Sequence, residues 1–255
     1  MKWPNSITLV RHGESAYNAL RAKKDESLTY LAFKESFAKN PQSEDTKRRA
    51  KEIHSLFALD VSDYGTPLTD EGRAQALATG KKIGKHIPAP DVILCSPYLR
   101  TRDTLTGIGE GCGIDVSKAV MDDRIREQEH GLSLLYNDKR LFQTFHPEQK
   151  ALMELLGSYW YQYPQGESVA MVRDRIRLLT DTIIREYAGK NVLIITHHLT
   201  ILSIRANLER LSPEQFLELD RKEKPVNCGV TMYKGNPNLG KDGKLELAFY
   251  NKQLY

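Results

Sequence analysis

The chain has 255 residues and no apolar run that approaches the roughly 18 residues of a membrane-spanning helix, so no membrane partner is expected. Cysteine is scarce. Cys95, Cys112 and Cys228 are odd in number and lack metal-ligand spacing, which argues against a disulfide framework and a bound metal. Reduced thiols in a cytoplasmic protein are the expectation, and Cys95, at the end of an apolar run, reads as core. No repeat or low-complexity linker interrupts the sequence, and Met1-Lys2-Trp3-Pro4-Asn5 enters an apolar run without a signal-peptide pattern. One domain spanning 1–255 is therefore expected. Strong charge of one sign is also absent, the net charge being only +4. The cationic stretch Thr46-Lys47-Arg48-Arg49-Ala50-Lys51 reads as the solvated face of a helix, and no nucleic-acid partner is expected.

What the chain does have is a set of strands that end in His or Arg. Ile7-Thr8-Leu9-Val10 stops at Arg11-His12-Gly13, followed by Glu14-Ser15 and the start of a helix. In open α/β sheets the carboxyl ends of strands are where ligands bind. Arginine offers a fork of donors suited to phosphate, and histidine is a nucleophile or base near neutral pH. Gly13 would let backbone N–H groups approach an anion. Asn191-Val192-Leu193-Ile194-Ile195 has the continuous apolar pattern of a strand buried on both faces, and it ends at Thr196-His197-His198. Val92-Ile93-Leu94-Cys95 ends at Ser96-Pro97 and then presents Arg100 and Arg102 in a first helical turn. Three such strand ends converging call for an anionic ligand.

The remaining pattern alternates helices with strands. Thr69 caps a helix with Asp70 and Glu71 in its first turn and Ala76, Gly80, Ile83 and Ile87 on one face. Ser168 caps another, with Val169, Val172, Ile176, Leu179 and Ile183 at helical spacing. Leu199 to Ile204 reads as a buried helix, and Val230 to Tyr233 and Leu245 to Tyr250 as two strands. The fold class expected is α/β, a three-layer α/β/α sandwich around a mostly parallel central sheet. Residues 19–65 break the rhythm and read as a helical insertion after the first strand, two helices on either side of Asn40-Pro41. Leaving from the ligand edge, this insertion is a candidate cap, and a surface embellishment is the alternative.

In their order, these motifs resemble the histidine phosphatase superfamily, also called phosphoglycerate mutase-like. The resemblance is carried by Arg11-His12-Gly13-Glu14-Ser15 with Asn18, by Pro67-Leu68-Thr69 with Gly72, and by Ser96-Pro97 with Arg100 and Thr104. Gly166-Glu167-Ser168 and Thr196-His197 complete it. It runs from Ile7 to Asn227, interrupted by residues 19–65. Arg126-Glu127-Gln128 and Tyr163-Pro164-Gln165-Gly166-Glu167-Ser168 are most similar to the broad phosphatase-like group of that superfamily.

The resemblance implies a metal-independent phosphomonoesterase that needs no cofactor and takes a small phosphorylated substrate, or a phosphoprotein. His12 would accept the phosphoryl group as a phosphohistidine. Arg11, Arg100 and His197 would stabilise the transferring group. Glu127 would protonate the leaving oxygen, with Glu129 as the alternative acid. Gly13, Ser15, Asn18 and His198 would add contacts to the substrate. Arg102 is expected to face solvent, and Tyr159, Trp160, Tyr161 and Tyr163 to serve packing before substrate. Nearby positive charge should lower the pKa of His12 and keep it neutral at weakly acidic pH. Two other classes compete: a phosphoglycerate mutase and a non-catalytic phosphate-binding protein. Mutases of the superfamily carry a basic tract with paired arginines after the acid motif. Between Leu132 and Gly157 this chain offers only Lys139-Arg140 and Lys150, which favours hydrolysis.

Overall fold

The apolar run before Arg11 is extended, as its β-branched and leucine side chains favour when both faces are to be buried. It forms β1 (Ser6–Arg11) in the computed structural model of the chain, which describes residues 2–58 and 60–255. Three helices follow, α1 (Ala16–Glu26), α2 (Leu28–Lys39) and α3 (Glu44–Leu56). Next come α4 (Asp70–Ile83), β2 (Val92–Cys95), α5 (Leu99–Cys112) and the short β3 (Val120–Met121). After two 3-10 turns, at Asp123–Ile125 and Gly131–Tyr136, the chain forms α6 (Lys139–Phe145), α7 (Pro147–Leu156) and α8 (Val169–Glu186). It closes with β4 (Asn191–Thr196), α9 (His198–Glu209), α10 (Pro213–Lys222), β5 (Val230–Asn236) and β6 (Lys244–Lys252). Among the described residues no helix is long and apolar enough to cross a membrane.

The chain divides into two compact units: Met1–Ser15, Tyr64–Glu127 and Val172–Tyr255 form the first, Ala16–Asp63 and Gln128–Met171 the second. The first holds a six-stranded sheet of order β3-β2-β4-β1-β5-β6. β3, β2, β4 and β1 are mutually parallel, while β5 runs antiparallel to β1 and pairs with β6 as a hairpin. Successive strand residues point to opposite faces, and the register keeps like with like. Leu9, Ile194 and Leu94 stand in line on one face, packed with Ile176, Leu179 and Ile183 of α8 and Ile201 and Ile204 of α9. Val10, Ile195 and Cys95 line the other, against Ile83 of α4 and Leu105 and Ile108 of α5. This is the three-layer sandwich that the alternation of elements implies.

The helix starts also follow their sequence signals. Thr69 accepts the Gly72 N–H at 3.0 Å, and Ser168 accepts the Met171 N–H at 3.2 Å.

The second unit has its own core of Tyr30, Phe33, Ala50, Ile53 and Leu141. α2 and α3 flank Asn40-Pro41 as the sequence suggests. Residues Ala16–Asp63 group with Gln128–Met171, and Leu141 of α6 completes this core. On α3, Thr46 and Ala50 are buried while Arg48 and Arg49 reach Asp45 at 2.6 and 2.7 Å, leaving the cationic stretch a solvated face.

One close approach tightens the first unit. A Cβ on Gly72, in the first turn of α4, would stand 2.0 Å from the Glu14 carbonyl oxygen, and one on Gly13 would stand 2.5 Å from that of Gly72. Gly84, at the other end of α4, has nothing within 4 Å of its missing Cβ. Gly72→Ala should therefore destabilise by about 1–3 kcal/mol through overpacking, whereas Gly84→Ala should stabilise by about 0.5–1 kcal/mol. Urea unfolding of the two variants measures both signs.

Candidate active site

Because β2, β4 and β1 are adjacent and parallel, their carboxyl ends stand side by side, and the three chain segments that leave them meet at one edge. There His12 is 4% exposed, Arg100 5% and His197 fully buried. The His12 and His197 rings meet edge to face with centroids 5.3 Å apart, and Tyr98 packs on His197 at 5.1 Å. The Arg100 guanidinium lies 4.8 Å from the Tyr98 ring centre, and Arg11 donates to the Pro225 carbonyl at 2.8 Å. Arg102 is exposed, so of the two arginines after β2 only Arg100 turns inward.

His12 Nδ1 lies 2.7 Å from the carbonyl oxygen of Gly13. A carbonyl only accepts, so Nδ1 carries the proton and the lone pair of a neutral ring resides on Nε2. Burial, then the charges of Arg100 and Arg11, hold the His12 pKa well below its ordinary 6.5, against the opposing pull of the Gly13 carbonyl. Burial, then Arg100 and His12, does the same to His197, whose Nε2 lies 2.7 Å from Ser96 Oγ. The site is thus two neutral imidazoles beside two guanidinium groups, an arrangement suited to an anion and to nucleophilic attack.

Glu127 reaches the same edge from the segment after β3. Its carboxylate accepts the Leu199 N–H in the first turn of α9, at 3.2 and 3.3 Å, where the helix N-terminus favours negative charge. The backbone of the segment is pinned. Thr196 and Thr200 donate to the Ile125 and Arg126 carbonyls, both at 2.6 Å. Arg175 of α8 spans the Arg124 and Glu127 carbonyls at 2.6 and 2.9 Å. Sequence reasoning missed Arg175, Thr200 and the role of Ser96. In sequence, Arg175 is one more cation on an amphipathic helix, and nothing marks its partner.

The other candidates are placed differently from one another. The Gly13 N–H donates to Thr104 Oγ1 at 2.9 Å, so the backbone donor expected to face an anion is turned to α5, and the glycine serves the close approach to Gly72. Ser15 is buried and forms a bridge to Leu68. His198 turns its side chain to Asp220 of α10 at 2.8 Å, which is how it finds room beside His197. Asn18 stands on α1 in the second unit, and Glu129 belongs to that unit through its Gln128–Met171 segment. Glu129 is held by Glu167: the Glu129 N–H donates to the Glu167 carboxylate at 3.1 Å, and the Glu167 N–H to the Glu129 carbonyl at 2.7 Å. Tyr159 and Tyr161 are buried, Trp160 is exposed, and Tyr163 lines a cavity of the second unit. Among the described residues no three His, Cys, Asp or Glu side chains gather as a metal site.

A family model described as histidine phosphatase superfamily (branch 1) matches residues 61–239, well over half of the chain. The chain belongs to the histidine phosphatase superfamily. The match begins beyond the inserted helices, so the Arg11-His12-Gly13 motif lies outside it and is joined to the matched part by the pairing of β1 with β4. A phosphoglycerate mutase-like protein of Arabidopsis thaliana is 27% identical, over 98% of this chain and 79% of its own length. A probable phosphoglycerate mutase of Yersinia enterocolitica is 24% identical, over 95% and 91%. Among solved structures, a mycobacterial glucosyl-3-phosphoglycerate phosphatase in complex with inorganic phosphate shares the fold of this superfamily member. It matches with a TM-score of 0.65 at 19% identity, covering 98% of each chain.

The two depressed histidines predict a pH dependence of stability. Below pH 6.5 the unfolded chain takes up protons that the folded His12 and His197 refuse, so their contribution is present above that pH and lost progressively as pH falls below it. Each accounts for up to about 1.4 kcal/mol per pH unit between its two pKa values. Urea unfolding on both sides of pH 6.5 should show this slope, and His12→Gln should remove one proton's worth of it. An unchanged slope in the variant would contradict a neutral His12.

Proposed function

We propose that this protein is a phosphatase that hydrolyses phosphomonoesters of small molecules through a phosphohistidine on His12 and needs no metal. The observation that carries the reading is the His12 ring, with its proton committed to the Gly13 carbonyl and its other nitrogen unprotonated among Arg11, Arg100 and His197. In the first step the Nε2 lone pair forms a bond to phosphorus while the phosphorus–ester oxygen bond breaks. Glu127 gives the leaving oxygen its proton. In the second step Glu127, now a carboxylate, takes a proton from water whose oxygen attacks phosphorus, and the phosphorus–nitrogen bond breaks to restore His12. Arg11 and Arg100 offer donors to the oxygens on which charge accumulates. The names of the relatives favour mutase activity as a second reading, in which the phosphoryl group returns to a phosphoglycerate instead of passing to water.

Phosphate release from a panel of phosphomonoesters, with chelator present, tests the proposal. The wild type should release phosphate and His12→Ala should not. Release that persists in His12→Ala, or that chelator abolishes, would end it, and conversion of 3-phosphoglycerate into 2-phosphoglycerate without release would favour the mutase. Glu127→Gln should slow esters of poor leaving groups by about 10²–10⁴-fold while sparing a nitrophenyl ester, whose leaving group needs no proton. Arg175→Met, which touches no reacting atom, should show the same selectivity at up to about 100-fold, with Arg175→Lys restoring part of it.

A further inference from the structure

The last carbonyls of β1 lie beyond the sheet ladder and need other partners. Val10 pairs with Val230 of β5, and before Val230 the chain turns at residues 226–229, with the Gly229 N–H on the Val226 carbonyl at 3.0 Å. Cys228 in that turn has a φ of 50°, in the left-handed region that non-glycine residues rarely adopt. The turn aims two donors at the strand end. The Cys228 N–H is shared between the Arg11 and His12 carbonyls at 3.1 and 3.3 Å, and the Asn227 side-chain amide donates to the His12 carbonyl at 3.0 Å. A carbonyl only accepts, so the amide nitrogen of Asn227 is the atom that faces it. The same segment holds Arg11, whose guanidinium meets the Pro225 carbonyl at 2.8 Å.

Asn227 completes a clamp on one peptide. Between His12 and Gly13 the carbonyl is held by Asn227 and the N–H by Thr104 Oγ1 at 2.9 Å, while the His12 N–H bonds the Thr196 carbonyl at 3.0 Å. The backbone on both sides of the His12 Cα is thereby fixed, and the next carbonyl, that of Gly13, meets the ring at Nδ1. The segment has its own lock. Asn251, in the bulge where β6 slips against β5, accepts the Val226 N–H through Oδ1 at 2.8 Å and donates through Nδ2 to the Lys224 carbonyl at 3.0 Å. Its φ of 53° is also left-handed, and a Cβ on Gly229 would stand 2.3 Å from its Oδ1. The Tyr250 hydroxyl donates to the Glu223 carbonyl beside it. Two strained residues are thus retained by contacts that end on the His12 carbonyl, and strain of this kind gathers at functional sites.

We propose that Asn227 is a positioning residue for the nucleophile, fixing the peptide after His12 so that the ring proton stays on Nδ1, and that Asn251 locks the segment that carries it. The proposal rests on the assignment of His12 as the nucleophile.

The test is nitrogen NMR of the histidine rings in the intact protein without substrate, followed by kinetics of phosphate release. His12 of the wild type should read as the Nδ1–H tautomer. Asn227→Ala should shift the tautomer ratio about five- to tenfold towards Nε2–H, the worth of one hydrogen bond. It should lower kcat by about 10–100-fold with KM within about twofold, as misalignment of a reacting group does. Asn251→Gly keeps a residue at ease with positive φ and removes only the side chain, so it should move the ring and kcat the same way by a smaller factor. Asn207→Ala, which removes an amide bonded to Arg173 in the same unit, should change neither. A ring that keeps its wild-type tautomer in both Asn227→Ala and Asn251→Gly, or that moves equally in Asn207→Ala, would overturn the role of Asn227. A wild type that releases no phosphate would instead overturn the nucleophile, and the two failures are told apart because the ring is read without substrate.

Discussion

The hydrogen bond from His12 Nδ1 to the Gly13 carbonyl decides what the edge of the sheet can do. Taken alone it favours the charged ring, yet burial and the charges of Arg100 and Arg11 outweigh it, and the ring stays neutral with a defined tautomer. The carbonyl is itself held in place. The Gly13 N–H is taken by Thr104 on α5, and the glycine lies against Gly72 on α4 with no room for a side chain on either residue. Two helices of one layer therefore hold the peptide to which the imidazole bonds. Replacing either glycine disturbs chemistry and packing through the same contact.

The two units treat buried charge in opposite ways. In the first, His12 and His197 give up their charge and leave two arginines to define the field. In the second, Lys24 and Asp138 meet as an ion pair whose side chains are each 6% exposed. Burial pushes the Asp138 pKa up, but Lys24, the Tyr30 hydroxyl and a backbone N–H outweigh that and hold it low. Breaking such a pair leaves an uncompensated ion in the interior, which costs far more than the intact pair contributes. A histidine can surrender its proton near neutral pH, whereas an aspartate with four donors around it keeps its charge.

Much of this was legible in the sequence because strands buried on both faces write continuous apolar runs, and β1, β2 and β4 do so. Their ends then fall where Arg11-His12, Ser96 to Arg100 and Thr196-His197 stand, so parallel pairing alone gathers them. The Thr69 and Ser168 caps were legible for the same local reason. What stayed hidden depends on pairing across long separations. Nothing near residues 19–65 shows that they fold with 128–171, since an amphipathic helix does not name its partner. His198 finds Asp220 one helix later, and Arg175 finds the Glu127 carbonyl, through tertiary geometry that no spacing encodes. Gly13 leaves two readings open in sequence: glycine permits close approach to an anion and to a backbone alike, and the structure shows the approach to the Gly72 backbone.

Glu127 is the last residue of the first unit along that stretch, and Gln128 is already part of the second. Its anchors decide which unit governs it. The Arg175, Thr196 and Thr200 bonds to the backbone, and the Leu199 N–H on the carboxylate, all come from the first unit, which also carries His12. On the other side of the junction a separate clamp begins. Gly131 and Gly166 lie so close that a Cβ on Gly131 would stand 2.0 Å from the Pro164 carbonyl oxygen, and Gln128 donates to the Glu167 carbonyl at 2.8 Å. The proposed acid is fixed relative to the proposed nucleophile by one set of contacts, and the start of the second unit is held by another. The anchors of the proposed proton donor therefore lie outside the second unit.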